Sequence, residues 1–175
     1  MNKIIIDLDM ISRFESDRTN MEIENNNIVE ICQDIFESLE LKAKENKITL
    51  KFAENYSNEI LVSCDKDKIG QVIQNLVINA IKYSYPDTEV VVRFTDIERN
   101  ILIEIQDNGP GIEDKHVNRL FERFYRVDKS RARNEGGTGL GLSIVKHIIE
   151  AHGHTVQLRS NKGKGSNFFF TLTKI

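Results

Sequence analysis

Apolar positions recur along this chain with helical spacing in four stretches and with strand-like alternation in others. Ile4, Leu8 and Ile11 stand at steps of four and three, with Ile5 beside them, which predicts a helix over residues 1–15. One such stripe on a short helix cannot be buried alone, so it needs a second helix or a second chain. Ser16, Asp17, Thr19 and the run Asn25-Asn26-Asn27 break the pattern. A hinge is expected here, with Met21-Glu22-Ile23-Glu24 as a short edge strand. Helical spacing returns from Ile28 to about Asn46 through Ile28, Ile31, Cys32, Ile35, Leu39 and Ala43. Ile48–Phe52 and Ile60–Ser63 read as strands. A strong helix comes next over Lys66–Tyr83, closed by Pro86-Asp87.

Thr88–Thr95 and Asn100–Gln106 form an expected antiparallel pair around Asp96-Ile97-Glu98-Arg99. A polar and aromatic stretch fills 113–135. Leu140 to about His152 is a helix ended by Gly153. His154–Ser160 and Phe168–Thr173 make a last hairpin across Lys162-Gly163-Lys164-Gly165. Helices and antiparallel hairpins in this order predict an α+β fold, one sheet with helices on one face. There is no internal repeat and no low-complexity tract.

Composition narrows the function classes. The 175 residues suit one ordinary domain, and 39% hydrophobic content allows it a core. A net charge of −3 gives nucleic acid no basic surface. No apolar run approaches the ~18–20 residues of a membrane span, and no secretory leader is visible. Cys32 and Cys64 are not in CxxC spacing and read as reduced core thiols of a cytoplasmic protein.

Three short patterns carry candidate chemistry. The first is Asn75-Leu-Val-Ile-Asn79-Ala-Ile-Lys82-Tyr83. On a helical wheel Ile69, Val72, Ile73, Leu76, Val77 and Ala80 share one side. Gln71, Asn75, Asn79 and Lys82 share the other, with Ile78 the exception. A solvated face is the ordinary explanation of such a stripe. Asparagine is a poor helix former, however, and a purely solvated face is more stably built from Glu and Lys. Amide oxygens are hard neutral ligands suited to Mg²⁺.

The second pattern is Asp107-Asn108-Gly109-Pro110-Gly111-Ile112, at the end of the alternating strand Ile101–Ile105. An acid held there can accept a hydrogen bond from an exocyclic amine such as adenine's; a simple turn is the alternative. The third is Gly137-Thr138-Gly139-Leu140-Gly141-Leu142, opening an apolar helix whose free N–H groups suit phosphate oxygens. It lacks the Gly-Lys-Ser/Thr ending of a P-loop and the parallel βαβ setting of a dinucleotide fold. Between the second and third, Phe121-Glu-Arg-Phe124-Tyr125-Arg126 precedes a charged run. It reads as a mobile lid anchored by Phe121 and Phe124, with Arg126 the best-placed cation for a γ-phosphate. An ordinary surface loop is the alternative.

In this order the motifs resemble the catalytic, ATP-binding domain of bacterial sensor histidine kinases, over about residues 21–175. The resemblance implies the Bergerat fold shared with gyrase B, Hsp90 and MutL: a two-layer sandwich with a mixed sheet of about five strands under about three helices. It implies ATP and Mg²⁺ as cofactors. Asn79 would be the metal ligand with Asn75 assisting. Lys82 would contact phosphate and Tyr83 would line the nucleotide. Asp107 would read adenine beside Gly109 and Gly111, with Ile112 as a pocket wall. Thr138, Gly139, Leu140, Gly141 and Leu142 would lie at the phosphates. The catalytic set would be Asn75, Asn79, Lys82 and Arg126.

The family's phosphoacceptor histidine has no counterpart. His116, His147, His152 and His154 lack its context, and all four read as structural. The expected organisation is therefore the end of a dimerisation helix (1–18), a hinge (19–27) and the catalytic domain (28–175). The γ-phosphoryl group would pass to a histidine outside this chain. The expected partners are the dimerisation/phosphoacceptor domain of the same kinase and a downstream response regulator. The fragment would be a monomer, cut from a homodimeric parent that is either cytoplasmic or membrane-anchored. Where related ATPases place a water-activating Glu, this chain has Asn75, which implies slow hydrolysis. A Bergerat ATPase or anti-sigma-type serine kinase, a non-catalytic nucleotide-binding module and a plain interaction domain are the rival classes.

Overall fold

The computed structural model describes Ile5, Ser12 and residues 21–127 and 138–175. Of the expected first helix only Ile5 and Ser12 fall among these, both helical. The charged run Asp128–Glu135 after Arg126, and Gly137 of the third pattern, lie outside them.

The chain order is β1 (Glu24–Asn27), α1 (Ile28–Glu45), β2 (Ile48–Phe52), β3 (Leu61–Cys64), α2 (Lys66–Tyr83), β4 (Thr88–Ile97) and β5 (Asn100–Gln106). Then come α3 (Asp114–Val117), α4 (Gly141–Ala151), β6 (Gln157–Ser160) and β7 (Ser166–Lys174). The strands form one sheet in the order β1-β3-β7-β5-β4-β2, with β6 beside β7. Among the described residues only β2 and β4 run parallel, so the sheet is mixed. Among the described residues it has seven strands rather than about five. β6 falls within the expected His154–Ser160 strand but is shorter, and β1 is displaced from the expected edge strand; each has four residues.

The three long helices bury their apolar stripes on one side of the sheet. In α2 the wheel's apolar side is fully packed: Ile69, Val72, Ile73, Leu76 and Val77 are 0% exposed, and Ile81 joins them. Ile101, Ile103 and Ile105 of β5 alternate inward to meet them, as do Val90, Val92 and Phe94 of β4. This is the expected two-layer α+β sandwich. Cys32 and Cys64 are buried free thiols, and burial pushes the Cys64 thiol up to about 11.

The edge strand lies at Glu24–Asn27, not at Met21–Glu24, so the three asparagines expected in a hinge pair with β3 instead. Asparagine is depleted in strands, but here the side chains add bonds of their own. Asn26 donates to the Cys64 carbonyl at 2.9 Å. Asn27 caps α1, accepting from Val29 N–H at 3.2 Å, and also accepts from Ile60 N–H at 3.2 Å.

One strand end and the two ends of α2 are what position the first two motifs. β5 delivers Asp107 at its C-terminal end. Helix α2 starts from the side chain of Asp65, which accepts from Lys68 N–H at 3.0 Å, and ends beside Asp107's turn.

Candidate nucleotide site

The polar stripe of α2 runs between the two glycine turns. At one end, a side chain on Gly141 would sit 3.6 Å from Asn75 Oδ1, so Asn75 lies against the first residue of α4. At the other end, a β-carbon on Gly109 would fall 2.4 Å from the Tyr83 carbonyl oxygen, so the first glycine turn lies on the last residue of α2. Further bonds tie that turn down: Tyr85 N–H to Asn108 O at 3.2 Å, and Asn108 Nδ2 to Glu89 O at 2.7 Å. Asn79 stands one helical turn from each of these contacts. From Asn75 to Tyr83 the helix rises about 12 Å, comparable to an extended nucleotide with its phosphates.

Asp107 is 5% exposed. Its Oδ1 accepts from Gly109 N–H at 2.9 Å and from Ser166 N–H at 3.1 Å, and its own N–H donates to Ser166 O at 2.8 Å. Burial pushes its pKa above the ordinary carboxylate value, while the two N–H donors pull the other way. The second carboxylate oxygen accepts from none of the described residues.

The β6–β7 turn locks this arrangement. Ser160 Oγ donates to Gly165 O at 2.9 Å and accepts from Ile112 N–H at 2.8 Å. Gly163 N–H donates to Pro110 O at 2.6 Å. Gly165 has φ +81°, and a β-carbon there would fall 2.1 Å from the Asp107 carbonyl oxygen. Ser160, Gly165 and Ser166 are thus part of the site although no motif announced them. Their signal in the sequence was Lys162-Gly163-Lys164-Gly165, whose glycines read only as a hairpin turn.

At the other turn, Leu140 is fully buried and is the N-cap of α4, with no side-chain cap bond. An apolar N-cap offers the first-turn amides of α4 no side-chain acceptor, and helix N-termini suit phosphate oxygens. Thr138 Oγ1 accepts from Leu140 N–H at 3.3 Å. Gly141 and Leu142 are half-buried, Leu142 packing on the core.

The remaining expected residues divide. Asn75 and Asn79 are half-buried on the stripe, with Lys82 one turn on. Lys82 Nζ lies 5.3 Å from the centroid of the Tyr83 ring, which is 47% exposed. Ile112 packs on the core. Phe121 anchors its segment as expected, edge-on to Phe168 with centroids 6.4 Å apart. Phe124 does not: it is 56% exposed, held by its backbone rather than its ring, with φ +62° and its N–H on Gly139 O at 3.0 Å. Left-handed backbone at this residue turns the ring out of the core. Arg126 comes two residues later and is half-buried.

The residues fit a metal-bridged phosphate. The Nδ2 of Asn75 is buried and has no hydrogen-bond partner among the described residues, a costly state unless something else pairs with it. No cluster of three or more His, Cys, Asp or Glu among the described residues could cage a metal. The amide oxygens of Asn75 and Asn79 are hard neutral donors, a class Mg²⁺ accepts beside phosphate oxygens and water, and the Asn75 Nδ2 can pair with a phosphate oxygen. A separate cleft of about 460 Å³, lined by Leu61, Phe94, Ile101 and Ile175, opens at the opposite end of the sheet and contains none of these residues. No helix among the described residues is long and apolar enough to cross a membrane.

Residues 64–174 match the family described as histidine kinase-, DNA gyrase B-, and HSP90-like ATPase. The chain is 38% identical over 176 residues to the sensor histidine kinase WalK of Bacillus subtilis (strain 168), covering 98% of this chain and 28% of WalK. It is 32% identical over 174 residues to the sensor protein SrrB of Staphylococcus aureus (strain NCTC 8325), covering 99% of this chain and 30% of SrrB. The chain thus spans under a third of the length of these relatives. Full-length ShkA, solved in complex with AMPPNP, superimposes with a TM-score of 0.85 at 22% identity, over 99% of this chain and 36% of ShkA. The catalytic domain of the histidine kinase ThkA superimposes with a TM-score of 0.76 at 27% identity, over 88% of this chain and 97% of that domain. With the family model covering most of its length, and with sensor histidine kinases as relatives, the chain belongs to the histidine kinase-, DNA gyrase B- and HSP90-like ATPases and is a catalytic ATPase domain of that family.

Proposed function

We propose that the chain binds Mg-ATP between α2 and the two glycine turns and donates the γ-phosphoryl group to a histidine outside the chain. That histidine would belong to the dimerisation/phosphoacceptor domain of the same kinase, and a response regulator would receive the group next. The observation that carries this reading is the α2 stripe itself. Asn79 lies between a buried, unpaired Asn75 amide at Gly141 and the turn that holds a buried Asp107.

Asp107 offers its second oxygen to the adenine amine, and Ile112 and Tyr83 wall the base. The α4 amides, with Thr138, Gly139 and Gly141, receive phosphate oxygens. Asn79, assisted by Asn75, holds the metal, which supplies charge neutralisation at the phosphates when bound. Lys82 and Arg126 add positive charge. An acceptor imidazole nitrogen forms the new N–P bond as the bond to ADP breaks, and its proton passes to solvent. No strong base is needed from this domain. Asn75 cannot take a proton from water, so hydrolysis by this chain alone is expected to be slow. Residues 1–18 would then end a dimerisation helix, with the catalytic domain following.

The test mixes this chain with the acceptor helical hairpin of its parent and γ-labelled ATP. The expected label is on the hairpin, acid-labile and base-stable, with none on this chain. An acid-stable label on a partner's serine would select the anti-sigma-type reading. Tight nucleotide binding with no transfer would select a non-catalytic module.

A further inference from the structure

The stretch between α3 and Val127 contains a contact network that the nucleotide assignments leave unused. Phe124 turns outward, yet the next residue turns back. The Tyr125 hydroxyl lies 2.5 Å from Nδ1 of His116, on α3. The guanidinium carbon of Arg119 lies 4.4 Å from the centroid of the Tyr125 ring. Arg119 is itself held, its Nε donating to the Glu122 carboxylate at 3.2 Å. One residue earlier, the Phe124 N–H is bonded to Gly139 O. Tyr125 is thus fixed at its hydroxyl, on its ring face and through its backbone.

Fixing Tyr125 also fixes the start of Arg126, the residue joined directly to it. An arginine has large rotamer freedom to lose when it grips a ligand. Holding the backbone at its base reduces the freedom that remains. Phe124, the aromatic expected to anchor this segment, is in no position to do so. Phe121 anchors the start of the segment, and next to Arg126 the ring that is held is Tyr125.

We propose that Tyr125 and His116 form a positioning pair that sets the backbone from which Arg126 reaches the terminal phosphate. Neither residue touches the nucleotide. The inference rests on the reading of Arg126 given under Proposed function. It predicts an effect on recognition of the third phosphate and none on recognition of the nucleoside.

The test measures binding of ADP and of a non-hydrolysable ATP analogue to the purified chain by calorimetry, with Mg²⁺, and takes the ratio of the two affinities. Arg126→Ala should lower the preference for the triphosphate about tenfold. Tyr125→Phe removes only the hydroxyl and should lower it about threefold. ADP affinity should stay within about twofold in both, which also certifies the fold. Tyr125→Phe combined with Arg126→Ala should be no worse than Arg126→Ala alone, because the pair acts only through the arginine. His116→Ala should match Tyr125→Phe, and His116→Asn, whose amide can offer a donor or an acceptor to the hydroxyl, should restore the parental ratio.

A parental ratio in Tyr125→Phe alongside a lowered one in Arg126→Ala would overturn the pair and spare the arginine. Additive losses in the double variant would do the same. A parental ratio in Arg126→Ala would overturn the arginine reading and the pair with it.

Discussion

Replacing Asp107 by asparagine separates what the fold wants from what the ligand wants. Oδ1 of Asp107 already accepts two backbone N–H groups, from Gly109 and Ser166. Only an oxygen can accept those bonds, so in Asp107→Asn the amide oxygen must stay inward. The new NH₂ is forced into the place of the outward oxygen, where the adenine amine arrives. An acceptor becomes a donor facing a donor. A hydrogen bond to a charged group is worth about 1.5–3 kcal/mol, and a donor left unpaired costs about 1–3 kcal/mol more. At 5% exposure, little solvent is present to relieve either. The expected loss is about 3 kcal/mol, on the order of a hundredfold in affinity for ADP.

Stability of the empty protein should move the other way. Burial raises the folded pKa of Asp107 above its unfolded value. Its charge therefore costs stability above the unfolded pKa, and this cost fades as pH falls. The variant keeps the inward bonds and carries no charge, so its melting temperature at pH 7 should equal or exceed the parent's. Calorimetry with ADP and a thermal melt decide the matter together. Affinity within threefold of the parent, in a variant that melts normally, would refute the adenine-reading role.

Other perturbations probe the remaining parts. Asn79→Ala should abolish most of the Mg²⁺ dependence of ATP binding; the same metal response as the parent in a magnesium titration would discredit the ligand assignment. Gly165→Ala places a β-carbon against the Asp107 carbonyl and strains a left-handed backbone. It should cost about 1–3 kcal/mol of stability and weaken ADP binding, read by denaturant unfolding and calorimetry; a neutral substitution would mean the β6–β7 turn does not brace the acid. His152 accepts from Asp65 N–H at 3.1 Å on Nε2 and lies 2.8 Å from Ile148 O on Nδ1, a pattern that only the neutral ring with its proton on Nδ1 satisfies. Its folded pKa is lowered, by burial first. The unfolded chain thus binds the extra proton more tightly, so this contribution to stability is present above an unfolded pKa of about 6.5 and is lost as pH falls through the folded value. His152→Gln should flatten the stability profile across that range, and melts from pH 7.5 down to 5 that track the parent's slope would contradict it.

The local pattern of the chain was enough for most elements and for the site's chemistry. Helix α2 begins and ends where its apolar stripe and Pro86 place it, because a helix is defined by burial at a fixed short period. The amides, the acid and the glycines declared their chemistry because each residue type is unfavourable or unusual where it stands. Other features depended on partners far along the chain, which no periodicity reports. Asn25-Asn26-Asn27 look like a hinge until β3 offers them a ladder and Cys64 a carbonyl. Phe124 looks like a core anchor until its backbone takes the left-handed conformation against Gly139. The bracing of Asp107 by Ser160, Gly165 and Ser166 joins segments more than fifty residues apart, with bonds such as that from Ser166 N–H to Oδ1. Residue types and their spacing decided which groups could hold a nucleotide, since that chemistry is carried by single side chains and turns. Tertiary structure alone decided how rigidly they are held, since buried polar groups must find their partners wherever the packed chain brings them.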